Sequence, residues 1–315
     1  MKKKAKNILI TIAVTIGILV VLEVVSRVIL SKVYNRQFDS SLIEEHKYGS
    51  TSGLKANATG TVWGKPFHTD DMGGRKHTKS KAGKHKTLVI GDSVIEGVGL
   101  EDSATISNAY NEGNGFDEED VRNISMIGWS TYDYRNVVDE LVGKDTSIKT
   151  VYLFYCLNDI YGKFAIKDLP PIANKGFASA INGFLQDRYA TYKLIKLLAY
   201  SNSDHYYQYD LAMYEDTAKV NAVVTDVVHI KEVCEANNVR FMIFLVPYRS
   251  QLEHRNNNQP QQLLTELFTK KGIRGMDLLR QWPQEDNYSD LFLFADEIHL
   301  SAKGHKEMGR AIYEK

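Results

Sequence analysis

The chain lacks the motifs and the charge balance that mark several large classes of protein. Its 315 residues contain no Gly-x-Gly-x-x-Gly, no P-loop and no zinc-type cysteine spacing, so nothing indicates dinucleotide, triphosphate or structural zinc binding. Lys and Arg together number 39, as do Asp and Glu, and this balance does not indicate a nucleic-acid partner. The two cysteines, Cys156 and Cys234, fall in segments of buried character. We predict that they are small core residues rather than part of a disulfide framework.

The N-terminus carries the longest apolar run. Four lysines among the first six residues precede an uncharged run at 7–22, and apolar residues continue to Leu30 around Glu23 and Arg27. As a helix, residues 8–30 span about 34 Å, enough to cross a bilayer. Glu23 and Arg27 are four residues apart and are placed to pair on one helix face. Val24-Val25-Ser26 matches a signal-peptidase site poorly, which favours a retained anchor over the alternative of a cleaved signal.

The same segment predicts location and domain organisation. The lysines favour a cytoplasmic N-terminus, so the chain beyond about residue 30 is expected to be periplasmic or extracellular. We predict a transmembrane anchor at 1–30, an extended connector at 31–85 and a catalytic domain at 86–315. The connector is rich in Gly, Ser, Thr, Asn and Lys, with isolated apolar residues. Its basic run at 76–86 is interpreted as a solvated linker, with attraction to anionic lipid or polysaccharide as the alternative.

Strands and helices alternate from residue 86 onward. Short apolar runs bounded by turn residues predict strands at 87–90, 120–127, 149–156, 239–246 and 273–278. Helical spacing predicts helices at 132–141, 177–199, 217–237, 261–270 and 302–313, with a helical insertion at about 160–216. Such alternation favours a parallel sheet with helices on both faces. The predicted fold is therefore α/β, a flavodoxin-like three-layer α/β/α sandwich preceded by a transmembrane helix.

Chemically useful residues follow the ends of the predicted strands. Ser93 follows the first strand, Gly128 the second and Asn158 the third, while Asp296 and His299 lie in the loop before the last helix. Because the carboxyl ends of parallel strands share one edge of a sheet, these residues are expected to meet there. They would supply a nucleophile, a base, an orienting carboxylate and oxyanion donors, which are the parts that acyl transfer needs.

These positions resemble the four sequence blocks of the SGNH subgroup of the GDSL hydrolases. The blocks, in order, are Gly91-Asp92-Ser93 with Gly97, then Gly128, then Asn158-Asp159, and last Asp296-x-x-His299. The resemblance covers about residues 86–315. The chain contains no Gly-x-Ser-x-Gly, which counts against the ordinary α/β-hydrolase family.

Two positions depart from the pattern of that family. Val94 stands where leucine is usual, at a loose position. Cys156 replaces the glycine of the Gly-x-Asn-Asp block, and there it is expected to crowd the turn that presents Asn158.

The resemblance implies a role for each residue. Ser93 would be the nucleophile, His299 the general base, and Asp296 the carboxylate that orients the imidazole. The backbone N–H groups of Ser93 and Gly128 and the side-chain amide of Asn158 would form the oxyanion hole. Such chemistry requires no metal and no organic cofactor.

Three functions stay open at this point. The first is a membrane-anchored esterase that removes O-acetyl or similar acyl groups from an acylated small molecule or an envelope or extracellular glycan. The second is an O-acetyltransferase that uses the same triad, with a membrane acyltransferase as a possible partner. The third is a catalytically silent envelope-assembly or binding protein, which the intact Ser93, Asp296 and His299 count against.

The tyrosines between 161 and 214 are interpreted mainly as packing residues, with a sugar-stacking platform as the alternative.

Four other polar residues are not expected to take part in catalysis. Asp92 is expected to cap the turn before Ser93, and Asp159 to order the loop around Asn158. Glu96 is expected to be exposed on the first helical turn. His305 is expected to pack or cap at the start of the last helix.

Overall fold

The computed structural model describes residues 2–76, 85–109, 120–162, 177–199, 203–282, 284–285 and 287–313. Most of the basic run at 76–86 lies outside these residues. The chain divides into two compact units, one made of 1–35 with 170–201 and the other of 36–169 with 202–315.

Helices and strands are numbered here along the chain. The helices are α1 Lys2–Val33, α2 Ser93–Glu96, α3 Thr131–Leu141, α4 Phe177–Arg188, α5 Ala190–Ala199, α6 Ser203–Met213, α7 Thr217–Ala236, α8 Arg249–Glu253, α9 Gln259–Lys270, α10 Leu278–Gln281 and α11 Ala302–Tyr313. The strands are β1 Ile43–Tyr48, β2 Thr51–Leu54, β3 Thr59–Val62, β4 Lys65–His68, β5 His85–Gly91, β6 Asp120–Ser125, β7 Thr150–Tyr155, β8 Arg240–Leu245 and β9 Gly275–Asp277.

The second unit is built on a five-stranded parallel sheet in the order β6-β5-β7-β8-β9. Counted within the sheet, this order is 2-1-3-4-5, the flavodoxin-like arrangement. The predicted fold class and all five predicted strands are therefore confirmed. The single helix predicted at 177–199 is divided in two at Tyr189.

Helices pack on both faces of this sheet. Because side chains alternate along a strand, Leu153 of β7 joins one buried cluster and its neighbour Phe154 joins the other. The first cluster includes apolar side chains of α3, α7 and α9, and the second includes those of α2, α10 and α11. The three layers place the carboxyl ends of β5, β6 and β7 side by side.

Residues 36–76 differ from the expected extended connector, because they contain two β-hairpins, β1–β2 and β3–β4. Their apolar side chains are buried in the same core cluster as the sheet; these are Leu42, Tyr48, Leu54, Val62 and Phe67. Each is isolated in the sequence, and only strand pairing brings them together. Because its composition is rich in turn residues, the sequence of this segment did not predict that it folds into two hairpins.

Arg75 ties this segment to the loop that follows α2. Its backbone N–H donates to the carbonyl of Asn123 at 2.8 Å, and its buried guanidinium donates to Asp102 at 2.8 Å and to the Leu100 carbonyl at 2.7 Å. The guanidinium also lies 4.0 Å from the centre of the Phe67 ring. The segment is thus an integral part of the second unit.

The first unit contains α1, α4 and α5. The stretch Lys4–Val33 of α1 contains an 18-residue window with a mean hydropathy of 2.9, and it is long and apolar enough to cross a membrane by length and composition. Arg27 pairs with Glu23 at 2.8 Å, as the four-residue spacing predicts.

Candidate functional site

Ser93 is the first residue of α2, directly beyond the end of β5. Asp92 caps this helix by accepting the N–H of Val94 at 2.9 Å, as expected from the sequence. Gly91 is needed for the tight turn, because a Cβ there would lie 2.5 Å from the Ile95 side chain. The turn directs Ser93 toward the edge of the sheet with only 6% of its surface exposed.

A continuous line of hydrogen bonds joins Ser93, His299 and Asp296. Ser93 Oγ lies 2.9 Å from His299 Nε2, and His299 Nδ1 lies 2.8 Å from Asp296 Oδ2. The other carboxylate oxygen accepts the backbone N–H groups of Ile298 at 2.9 Å and His299 at 2.8 Å. The structure thus brings Ser93 into hydrogen-bond contact with a His–Asp pair that lies more than 200 positions further along the sequence.

The electrostatic surroundings keep Asp296 ionised. Burial by itself would raise its pKa, but His299 and the Arg36 guanidinium outweigh burial and hold the pKa of Asp296 well below its usual range. An ionised carboxylate accepts the Nδ1–H of the imidazole, which leaves Nε2 free to accept the proton of the Ser93 hydroxyl.

Gly128 lies in the turn after β6, at a backbone φ of +82°. This left-handed conformation favours glycine, and no heavy atom lies within 4 Å of the position a Cβ would occupy. Within the part of the chain that the structure describes, the Gly128 N–H has no hydrogen-bond acceptor. It is therefore available to a ligand.

Neighbouring side chains hold the amide of Asn158. Its Nδ2 donates to Asp92 Oδ2 at 3.3 Å, and its Oδ1 lies 3.4 Å from the Tyr248 hydroxyl. That hydroxyl donates to the buried carboxylate of Asp210 at 2.5 Å, and burial raises the pKa of Asp210. Since one amide hydrogen is used by Asp92, the other remains for an oxyanion.

The turn before Asn158 is not crowded by Cys156, contrary to the expectation from the sequence. Cys156 has φ −95°, a conformation open to any residue, and its thiol donates to Asp92 at 3.4 Å. Burial holds the pKa of this thiol well above its usual range, so it stays protonated. Asp159 orders the turn, as expected, by accepting the Cys156 N–H at 2.8 Å and the Tyr134 hydroxyl at 2.9 Å.

Two contacts of the acid–base pair were not found from the sequence, because both come from the segment interpreted as a connector. Arg36 lies 3.0 Å from Asp296 Oδ2 through its Nη2 atom, and its guanidinium lies 4.0 Å from the centre of the Trp63 ring. The Trp63 ring in turn meets the imidazole of His299 edge to face, with centroids 4.6 Å apart. The sequence signal that could have indicated these contacts was Trp63, a lone tryptophan among polar residues.

Glu96 is buried, and the prediction that it is exposed was wrong. One of its carboxylate oxygens accepts the N–H of Ile127 at 2.7 Å, so it holds the turn that contains Gly128. Burial raises its pKa to about 8. A helix of four residues is too short for periodicity to show which side faces inward.

In the last helix, α11, the prediction of a packing or capping role for His305 is confirmed. His305 is buried, and its Nδ1 accepts the N–H of Ile106 at 3.0 Å. Among the described residues, no group of three or more His, Cys, Asp and Glu side chains is arranged to hold a metal ion.

The sequence matches no protein-family model and no curated protein. The fold is similar to a member of the lipolytic protein G-D-S-L family from Veillonella parvula, at 12% identity and a TM-score of 0.43, covering 72% of this chain and 96% of that chain. It is also similar to the psychrotrophic esterase EstA from Pseudoalteromonas sp., at 13% identity and a TM-score of 0.42, covering 73% and 95%. A catalytic mutant of Axe2, an acetylxylan esterase from Geobacillus stearothermophilus, is 12% identical with a TM-score of 0.44, covering 75% and 94%. At such identities and TM-scores, function has to be argued from the side chains of the site.

Proposed function

We propose that this chain is an exported, membrane-anchored serine esterase of the SGNH type that removes O-acetyl or similar small acyl groups from an envelope or extracellular glycan. The observation that carries the proposal is the hydrogen-bonded line from Ser93 through His299 to Asp296, with distances of 2.9 and 2.8 Å. A side-chain hydroxyl, an imidazole and an ionised carboxylate in this order form the arrangement of serine hydrolases.

The reaction proceeds in two halves. The Ser93 oxygen attacks the ester carbonyl carbon while His299 Nε2 takes the hydroxyl proton, and that proton then passes to the leaving sugar oxygen. In the second half, water attacks the carbonyl carbon of the acyl-serine and gives a proton to His299. The bond between that carbon and the Ser93 oxygen then breaks, His299 returns the proton to the Ser93 oxygen, and the carboxylic acid leaves. Asp296 stabilises the imidazolium in both halves without accepting its proton.

In this scheme, three hydrogen-bond donors stabilise the negative charge that develops on the carbonyl oxygen. They are the N–H of Ser93 at the start of α2, the N–H of Gly128 and the second amide hydrogen of Asn158. Each donor of this kind is worth about 3 kcal/mol of transition-state stabilisation. The free N–H of Gly128 and the held amide of Asn158 support the assignment.

Two features support an exported glycan as the substrate. The apolar α1 with its lysine-rich start favours an anchor whose following residues are exported. A cleft of about 310 Å³ is lined in part by Tyr132, Tyr161, Lys219 and Asp226, and its lining does not include the three triad residues. Aromatic faces next to charged groups suit the alternating apolar and hydroxyl surfaces of a sugar.

The test compares Ser93→Ala with Ser103→Ala in the full chain. Ser93→Ala should lower the rate of 4-nitrophenyl acetate hydrolysis, and of acetate release from O-acetylated polysaccharide, by at least about 10⁴-fold. Ser103 is exposed ten residues further along and should tolerate alanine with full activity. A folded Ser93→Ala protein that still turned over the ester would exclude this triad. Acetate found on an added sugar acceptor rather than in solution would identify a transferase.

A further inference from the structure

Glu23 stands in the apolar helix α1 at a depth where an isolated carboxylate is costly. Counting from Asn7, where the uncharged run begins, Glu23 lies about 24 Å along the helix and Arg27 about 30 Å. The hydrocarbon core of a bilayer is about 30 Å thick. Arg27 would therefore reach the exported-side boundary, whereas Glu23 would lie inside the hydrocarbon. An intramembrane carboxylate needs partners from the protein itself.

The N-terminus of α5 supplies these partners. Glu23 accepts the backbone N–H of Ala190 at 2.9 Å and that of Thr191 at 3.0 Å, together with the Thr191 hydroxyl at 3.1 Å. Arg27 pairs with the same carboxylate and also donates to the Arg188 carbonyl at 3.1 Å. The positive end of a helix dipole favours an anion at this place. The carboxylate is thus satisfied without water.

In the α4–α5 pair, several polar side chains bond to one another while large apolar side chains are exposed. Asn182 Oδ1 accepts bonds from Gln186, Tyr192 and Lys196, within the pair. Large apolar side chains are instead exposed; they are Ile181, Phe184, Tyr189, Ile195 and Leu198, with exposures of 44–67%. In water, a helix pair buries such side chains. Their exposure here is the feature that a lipid environment favours.

We propose that α4 and α5 lie against α1 in the exported-side half of the bilayer and present this apolar face to lipid. The Glu23 contact sets their depth, because it joins the start of α5 to a point within the hydrocarbon. Tyr189, next to that point, is of the residue type enriched near the interface. The inference rests on the proposed membrane anchoring of α1.

The experiment places single fluorophores on the full chain in phosphatidylcholine–phosphatidylglycerol vesicles. Ile195→Cys and Leu198→Cys report on the proposed lipid face, Val14→Cys on the anchor, and Lys270→Cys on an exposed position of the second unit. Each cysteine carries an NBD (nitrobenzoxadiazole) group. The native Cys156 and Cys234 are buried, and burial raises the pKa of Cys234 to about 12, so neither competes for the label. Fluorophosphonate labelling of Ser93 verifies that each variant is folded.

Doxyl-labelled lipids should quench the fluorophores at 195 and 198 as strongly as the one at 14, and leave the one at 270 unquenched. Quenching at 14 but not at 195 and 198 would overturn the inference and leave the anchor standing. Absence of quenching at 14 as well as at 195 and 198 would contradict both the proposed membrane anchor and this inference. Blue-shifted emission at 195 and 198 without quenching would mean that protein, such as a second copy, covers the face, and would also overturn it.

Discussion

At the scale of single residues, the acid–base pair depends on side chains outside the four sequence blocks. The charge of Arg36, 3.0 Å from Asp296, favours the ionised form of that carboxylate and so helps to keep the pKa of Asp296 below its usual range. The Trp63 ring contacts both the Arg36 guanidinium and the His299 imidazole. These contacts make Arg36 a positioning residue, since it acts through Asp296 rather than on the substrate.

Arg36→Gln should lower kcat about tenfold, because a charge-assisted contact on Asp296 is lost, while KM changes little. Arg36→Lys should keep most of the activity because it keeps the charge beside Asp296. The measurement is kcat and KM for ester hydrolysis at one pH.

Lys65→Gln is the matched control, because it removes a cation from the same hairpin segment. Lys65 is exposed and pairs with Glu101 at 3.6 Å, so neither kcat nor KM should change in this variant. A loss in Arg36→Gln confined to KM would instead place the guanidinium in substrate binding. An unchanged kcat in Arg36→Gln would exclude a role for Arg36 through Asp296.

At the scale of elements, the helix α2 and the turn after β6 are joined by the buried Glu96. The carboxylate accepts the N–H of Ile127, one residue before Gly128, so one side chain links the helix that begins with the proposed nucleophile, Ser93, to the turn of a proposed oxyanion donor. Burial raises the pKa of Glu96 to about 8, with Arg75 and the Ile127 bond partly opposing the rise. The two turns are therefore linked through one buried titratable group, and we expect the stability of the fold to depend on its protonation state.

The sign of that dependence follows from the raised pKa. Between the ordinary glutamate pKa of 4.5 and about 8 the folded state binds more protons than the unfolded state, so stability falls as pH rises. From pH 5 to pH 8 the free energy of unfolding should fall on the order of 2–4 kcal/mol more in the wild type than in Glu96→Gln. Urea unfolding followed by tryptophan fluorescence measures this difference. Glu101→Gln, at an exposed carboxylate, should behave like the wild type, and parallel curves for all three proteins would refute the assignment.

At the scale of the whole molecule, the predicted topology has a cytoplasmic N-terminus and an exported catalytic unit. Protease added to intact spheroplasts should therefore digest the chain beyond about residue 31, because the lysine-rich start is retained inside. An epitope tag placed before Met1 should resist the protease until the cells are lysed. Protection of the catalytic unit, with digestion of the tag, would reverse the orientation.

Much of the fold could be predicted from the sequence because its signals are local. The apolar runs that become β5, β7 and β8 are bounded by turn residues, and their order gives a parallel sheet once helices separate them. The same order placed Ser93, Gly128 and Asn158 at one edge. The apolar length of α1 and the four-residue spacing of Glu23 and Arg27 were likewise visible in the chain itself.

Only the tertiary structure decided which residues support the site. Two hairpins fold from a segment of isolated apolar residues, since their core exists only when strands pair and pack on the sheet. Glu96 is buried because α2 packs against the turn after β6, and Arg36 reaches Asp296 across 260 positions of the chain. Local patterns determine which elements form. Burial and charge pairing between distant elements depend on their packing, and no short stretch of sequence contains both partners.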